Sequence, residues 1–118
     1  MVKTPSQASS HSHLTPVVYH TLLVLSGAPS HGYGISQAVE RLTEGRVRMG
    51  PGTLYGTLKR LQDAGWLEST EDVEAQGAHA ARRRYYQLTT AGRHALEHEA
   101  RRLARAVELA LHYAVLEG

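Results

Sequence analysis

The feature that most constrains this chain lies in its last quarter. Leu96, Ala100, Leu103, Val107, Ala110 and Ala114 recur at alternating steps of four and three, and neither Gly nor Pro interrupts the run. A seam repeating every 3.5 residues belongs to a helix that packs along another helix. Thr89 supplies an N-cap, and the pattern predicts a helix running to about Glu117. At ~1.5 Å per residue that helix is roughly 40 Å long. The whole chain has 118 residues, one domain's worth. A helix of this length overhangs so small a domain, so residues 89–118 are read as a dimerisation helix. Leu109, Leu111, Val115 and Leu116 widen its apolar stripe. A helix packed only within its own chain is the alternative.

The rest of the chain is punctuated by helix starts and stops. Residues 1–13, rich in Ser and His, hold little to bury and read as a flexible N-terminal arm. Thr15 and Pro16 form an N-cap and first-turn pair. The run VVYHTLLVL follows, and Gly27-Ala28-Pro29 stops it. This first helix is apolar nearly all round and needs a second partner, either another element or another chain. Ser30 to Gly34 read as a loop into a second helix, whose Ile35, Ala38, Val39 and Leu42 share one face and which Gly45 ends. Gly50-Pro51-Gly52-Thr53 opens a third helix, with Leu54, Leu58 and Leu61 on its core face and Gly65 as its C-terminal glycine. WLEST and RRRYYQL, joined by a long polar stretch, read as two antiparallel strands with an extended tip, and Trp66 is expected to pack beneath them.

Composition and charge narrow the function. The chain is 42% hydrophobic and 20% charged, ordinary for a globular domain. It has no Cys, which excludes disulfides, thiolate metal sites and a thiol nucleophile. No apolar run is long enough to span a bilayer, and no secretory h-region is present, so the expected location is cytoplasmic, with no membrane partner. Arg41, Arg46, Arg48, Lys59 and Arg60 outweigh the single Glu44 in residues 41–60, and Arg82, Arg83 and Arg84 lead a second basic block. Between them lies an acidic block that includes Asp63, Glu68, Glu71, Asp72 and Glu74. This division predicts a basic face fit for a polyanion; scattered solvated charge is the alternative.

Three helices, a two-stranded hairpin and a final helix give a mainly α chain with a small β hairpin. Residues 14–88 read as a winged helix-turn-helix, a DNA-binding domain, followed by the long C-terminal helix. The third helix can enter the major groove of double-stranded DNA, and the hairpin tip can reach the neighbouring backbone or minor groove. HGYGI, GTLYGTLKRLQDAGWLE and RRRYYQLTTAGR, at this combined spacing, resemble the PadR family of bacterial transcriptional regulators. The single long last helix resembles its short subfamily. The resemblance implies a homodimeric DNA-binding protein, mostly a repressor, often released by a small molecule.

Residue by residue, Gly52, Thr53, Tyr55, Gly56 and Lys59 fall on the outward side of the third helix, with Arg60 beside them. Small residues at its N-terminus permit close approach, and that end of a helix favours phosphate. The hydroxyls of Thr53 and Tyr55 suit phosphates or base edges, and Lys59 and Arg60 suit phosphate charge. A packing role for Tyr55 is the alternative. Tyr33, in a family motif position, fits a fold-stabilising role or a phosphate contact. In the wing, His79, Arg82, Arg83 and Arg84 are candidates for minor-groove or phosphate contact, and alternation puts Arg82 and Arg84 on one face, opposite Arg83. Two such domains predict a pseudo-palindromic operator.

The effector is less defined. Tyr19, His20, His94, His98 and Tyr113 are the polar and aromatic groups near an expected pocket between the first and last helices. A drug-binding family member uses tryptophans on its last helix; here Tyr113 is the only aromatic there, which does not support a flat drug between indoles. His94 and His98 can face one way, yet two ligands make no strong metal site, and surface or interface histidines are the preferred reading. No metal or cofactor is expected. No phosphate-binding Gly loop or catalytic constellation points to an enzyme. The alternative function is a winged-helix module for protein assembly or RNA binding without sequence-specific DNA readout.

Overall fold

The computed structural model describes residues 13–71 and 84–117. In chain order the elements are α1 (Pro16–Gly27), β1 (Ser30–His31), α2 (Gly32–Leu42), α3 (Pro51–Asp63), β2 (Leu67–Glu71), β3 (Arg84–Leu88) and α4 (Thr90–His112). The expected arm falls almost entirely outside the described residues, as does the hairpin tip.

Local chemistry sets each boundary. Thr15 caps α1 by accepting the N–H of Val18 at 3.2 Å, with Pro16 in the first turn. His31 caps α2 through Nδ1, which accepts the N–H of Gly34 at 3.2 Å. Gly50 precedes Pro51 at the start of α3 and brings no side-chain cap. At its far end Gly65 adopts φ +83°, and the Trp66 N–H bonds the Leu61 carbonyl at 2.9 Å, a glycine-terminated helix end.

The core draws on every helix. Leu22 and Leu25 from α1, Ile35 and Val39 from α2, and Leu54, Leu58 and Leu61 from α3 meet Trp66, Leu67, Tyr86, Ala95 and Leu96. Leu42 departs from expectation: it lies exposed beyond the last buried turn of α2. That helix ends before Gly45, where the Thr43 hydroxyl donates to the Val39 carbonyl at 2.9 Å and accepts the Val47 N–H at 3.0 Å.

Two expectations need correction. The segment read as a loop at residues 30–34 is a strand at Ser30–His31 followed directly by the first turn of α2 from Gly32, so the sheet has three strands in the order β1-β3-β2, all antiparallel. Ser30 faces Tyr86 and His31 faces Tyr85, a pairing made by tertiary contact and too short to show alternation. The last helix also stops at His112, not near Glu117. Ala114 turns into the left-handed region at φ 62°, and the Val115 N–H closes back on the Ala110 carbonyl at 2.9 Å. Ala114 therefore lies off the helical seam. Leu96, the first seam residue, is buried in its own domain and is not available to a partner.

A polar clamp joins the turn after α3 to the start of α4. The Thr89 hydroxyl donates to the Gly65 carbonyl at 2.6 Å and accepts the Gly92 N–H at 3.0 Å. The Thr89 N–H bonds the Trp66 carbonyl at 3.0 Å. A Cβ at Gly92 would overlap that same carbonyl oxygen, so only glycine fits there.

Candidate nucleic-acid interface

The two faces of α3 separate cleanly. Leu54, Thr57, Leu58 and Leu61 are buried, while Pro51, Gly52, Thr53, Tyr55, Lys59 and Arg60 are exposed and Gly56 is half-buried. The outward residues singled out in the sequence thus share one helix surface. Its N-terminus is open: Gly50 offers no side chain to the first N–H groups, and a Cβ at Gly52 would meet nothing within 4 Å. Unpaired N–H groups at an exposed helix start favour an approaching anion.

The cations of this face are held loosely. Lys59 Nζ lies 3.5 Å from Asp63 Oδ2, both side chains largely in solvent. Such a pair is weak and exchanges readily for a phosphate. Arg60 folds back along the helix, its Nη2 donating to Thr57 Oγ1 at 3.4 Å. Arg48, in the link before α3, lies 3.6 Å from Glu40. Gln62 Nε2 donates to Ser69 Oγ at 2.9 Å and ties α3 to β2.

Tyr55 is both exposed and packed. Its side chain is 52% exposed, yet its ring lies across Gly32, where a Cβ would stand 2.9 Å from the hydroxyl. The first glycine of HGYGI leaves the space that this tyrosine fills. Tyr86, buried in β3, has its phenol pushed up by burial, against the opposing pull of Arg84.

Arg84 lies exposed at the start of β3, its Cα paired with Glu71. His79, Arg82 and Arg83 lie outside the described residues, as do Asp72 and Glu74.

The five effector candidates do not converge. Tyr19 and His20 line a cavity of about 320 Å³ between α1 and α4, together with Leu14, Pro16, Glu99, Arg102 and Leu103. His20 Nδ1 donates to the Pro16 carbonyl at 2.8 Å. His94 and His98 border a separate surface hollow with Glu97, Arg101 and Arg102. Tyr113 sits in a third, beside His112 and Leu109. Among the described residues no group of three or more His, Asp or Glu is placed to hold a metal ion.

Sequence reasoning missed Glu99. It is buried on α4, and Arg102 reaches its two carboxylate oxygens at 2.9 and 2.6 Å. The Arg102 guanidinium holds the carboxyl below its ordinary range, helped by the Leu14 backbone N–H and opposed by burial. The signal was present: Gly92, Ala95, Leu96 and Glu99 share the helix face that turns inward.

A family model for the Transcriptional regulator PadR-like family matches residues 21–98, more than half of the chain. Over 62 residues the chain is 37% identical to the transcriptional regulator YqjI of Escherichia coli (strain K12), covering 52% of this chain and 28% of that protein. The chain spans less than a third of the length of the curated relatives it matches. Among solved structures, a PadR-like transcription factor from Bacteroides fragilis superposes with a TM-score of 0.67 at 26% identity, covering 92% of this chain and 95% of that one. Bacillus subtilis PadR, solved in complex with operator DNA, shares the fold at a TM-score of 0.61 and 20% identity, over 70% of this chain and 45% of that one.

Proposed function

The chain belongs to the Transcriptional regulator PadR-like family, regulators and not enzymes, and we propose that it acts as a homodimer that binds a pseudo-palindromic site in double-stranded DNA sequence-specifically, represses transcription there and is released by a small-molecule effector. Residues 14–88 form the DNA-binding unit, and residues 89–118 the pairing segment, whose helix is α4 (Thr90–His112). The observation that carries this reading is the exposed face of α3, where Thr53 and Tyr55 stand in the first turns beside an open helix N-terminus and Lys59 and Arg60 lie further along the same face, toward its C-terminal end. Arg84, exposed at the start of β3, is a further candidate for the neighbouring backbone, and His79, Arg82 and Arg83 remain candidates from their sequence alone. The solved relative with operator DNA supports the same partner.

Pairing uses the part of α4 beyond its own domain. Ala100 and Ala110 are half-buried, Leu103, Val107 and Leu111 form an apolar strip open to solvent, and Leu109 is exposed on another side of the helix. The cavity between α1 and α4 is the place for an effector, since it gathers apolar walls around polar groups and adjoins the pairing strip. No helix among the described residues is long and apolar enough to cross a membrane, and a DNA regulator of this kind works in the cytoplasm.

The test is binding of the purified chain to duplexes selected from a random pool, at about 100 and 300 mM salt with nonspecific competitor. A competitor-resistant complex that weakens with salt is expected. Lys59→Ala weakens all sequences alike and flattens the slope of log K against log salt by about 2 per dimer, about 1 for each copy of Lys59. An unchanged slope removes Lys59 from the phosphate contacts. Failure to enrich any sequence, with a dimer confirmed in solution, moves the function to protein assembly or RNA.

A further inference from the structure

An apolar recess opens between the starts of α2 and α3. It measures about 190 Å³ and is lined by Tyr33, Ser36, Met49, Pro51, Leu54 and Tyr55. Leu54 is buried, whereas Tyr33 and Tyr55 stand 64% and 52% exposed at the rim. None of the six lining residues carries a charge. Two of their polar groups have partners within the chain: the Tyr33 hydroxyl accepts from Gln37 Nε2 at 3.1 Å, and the Ser36 hydroxyl donates to the Tyr33 carbonyl at 2.9 Å. What a visitor meets is mostly hydrocarbon and aromatic surface.

The setting makes that surface unusual. The recess adjoins the open N-terminus of α3, and the exposed Gly52 and Thr53 beside it leave room for a base edge. Lys59 and Arg60 continue the same helix face. A phosphate gains little from an uncharged apolar hollow. In the major groove the apolar group on an unmodified base edge is the C5 methyl of thymine.

We infer that this recess receives the C5 methyl of one thymine in each half-site, so that Met49, Pro51 and the two tyrosine rings read thymine by shape. The inference rests on the DNA-binding reading above and names the base that reading leaves open. Met49, in the link, and Tyr33, on α2, are then specificity residues outside the recognition helix.

Replacing thymine by uracil removes the methyl and leaves base pairing intact. Starting from the duplex selected by the full chain, each thymine is replaced singly by uracil and affinity is followed by fluorescence anisotropy. One symmetry-related thymine pair is expected to lose about fourfold per half-site, the factor for burying one methyl-sized group. In Met49→Ala, and independently in Tyr33→Leu, that preference for thymine over uracil falls toward one while the salt slope stays as in the wild type. Circular dichroism confirms that each variant is folded, and the exposed Tyr33 keeps the test open should Met49→Ala unfold. Uracil tolerated at every position of a specifically bound duplex overturns the inference and leaves DNA recognition standing. A uracil penalty that neither variant reduces places the methyl contact elsewhere and also overturns it. No enriched sequence at all overturns the DNA-binding reading and this inference with it.

Discussion

Along α4, Gly92, Ala95, Leu96 and Glu99 are buried against α1 and the sheet side of the domain, whereas Leu103, Val107, Leu109 and Leu111 face solvent. Leu96 retains 6% of its surface and Val107 retains 49%, although both belong to one heptad seam. The contrast extends to charge. Glu99–Arg102 and Arg105–Glu108 are both three residues apart, yet Glu99 is buried and Glu108 is exposed. Spacing thus reveals an apolar stripe without naming its partner. The first turns of the stripe belong to the chain's own core. The later turns overhang it, and there the proposed second copy takes over.

Mutations at matched positions sharpen this division. Leu96→Ala should lower the unfolding free energy by about 2–5 kcal/mol in chemical denaturation. That loss should be the same in dilute and concentrated protein; a concentration-dependent loss would put Leu96 in the dimer contact instead. Gly92→Ala forces a methyl onto the Trp66 carbonyl and should cost about 1–3 kcal/mol, with the turn after α3 displaced. Leu103→Asp, on the overhang, should leave the domain folded and raise the dimer dissociation constant at least about 30-fold, the factor for a residue that contributes about 2 kcal/mol to binding. Sedimentation that still shows a dimer would defeat the pairing proposal.

The two ion pairs give smaller effects. Because the Glu99 carboxyl is held below its ordinary range, its contribution to stability is complete above the unfolded-state pKa and is lost as pH falls through the folded-state pKa. Glu99→Gln should therefore flatten the acid limb of a stability–pH curve below about pH 4.5. An unaltered acid limb would show that Glu99 gains nothing from Arg102. Glu108→Gln should change stability by less than about 0.5 kcal/mol, as expected of an exposed pair.

These divisions explain what the sequence disclosed. Thr15-Pro16, Gly65 and Thr89 act within a turn of where they stand, so the starts of α1 and α4 and the close of α3 were legible, whereas the start of α2 at Gly32, capped by His31, was not. The outward residues of α3 were legible for the same reason, since a single helical face places them together. β1 was not, because its strand character comes from Tyr85 and Tyr86, far along the chain. Nor was the end of α4, where an alanine takes the left-handed turn that glycine usually marks. Leu42 was misplaced because helical period does not say how far a neighbour extends. The effector candidates were scattered for a related reason: proximity along two helices does not fix which faces meet. Tyr55 shows the limit from the other side. Its exposure follows from α3, but its seat on Gly32 follows from the packing of two helices.

The contact between Gly92 and the Trp66 carbonyl, with Thr89 bonded to both sides of the turn, has a mechanical meaning. The joint between α3 and α4 is closely packed and hydrogen-bonded across the turn. Such a joint favours passing a rotation of the long helix on to α3 over absorbing it as bending. In the proposed dimer on DNA, the crossing of the two long helices would then set the stride between two reading heads. A twist that changes the crossing throws both heads out of step with the helical repeat of DNA, while each domain keeps its shape.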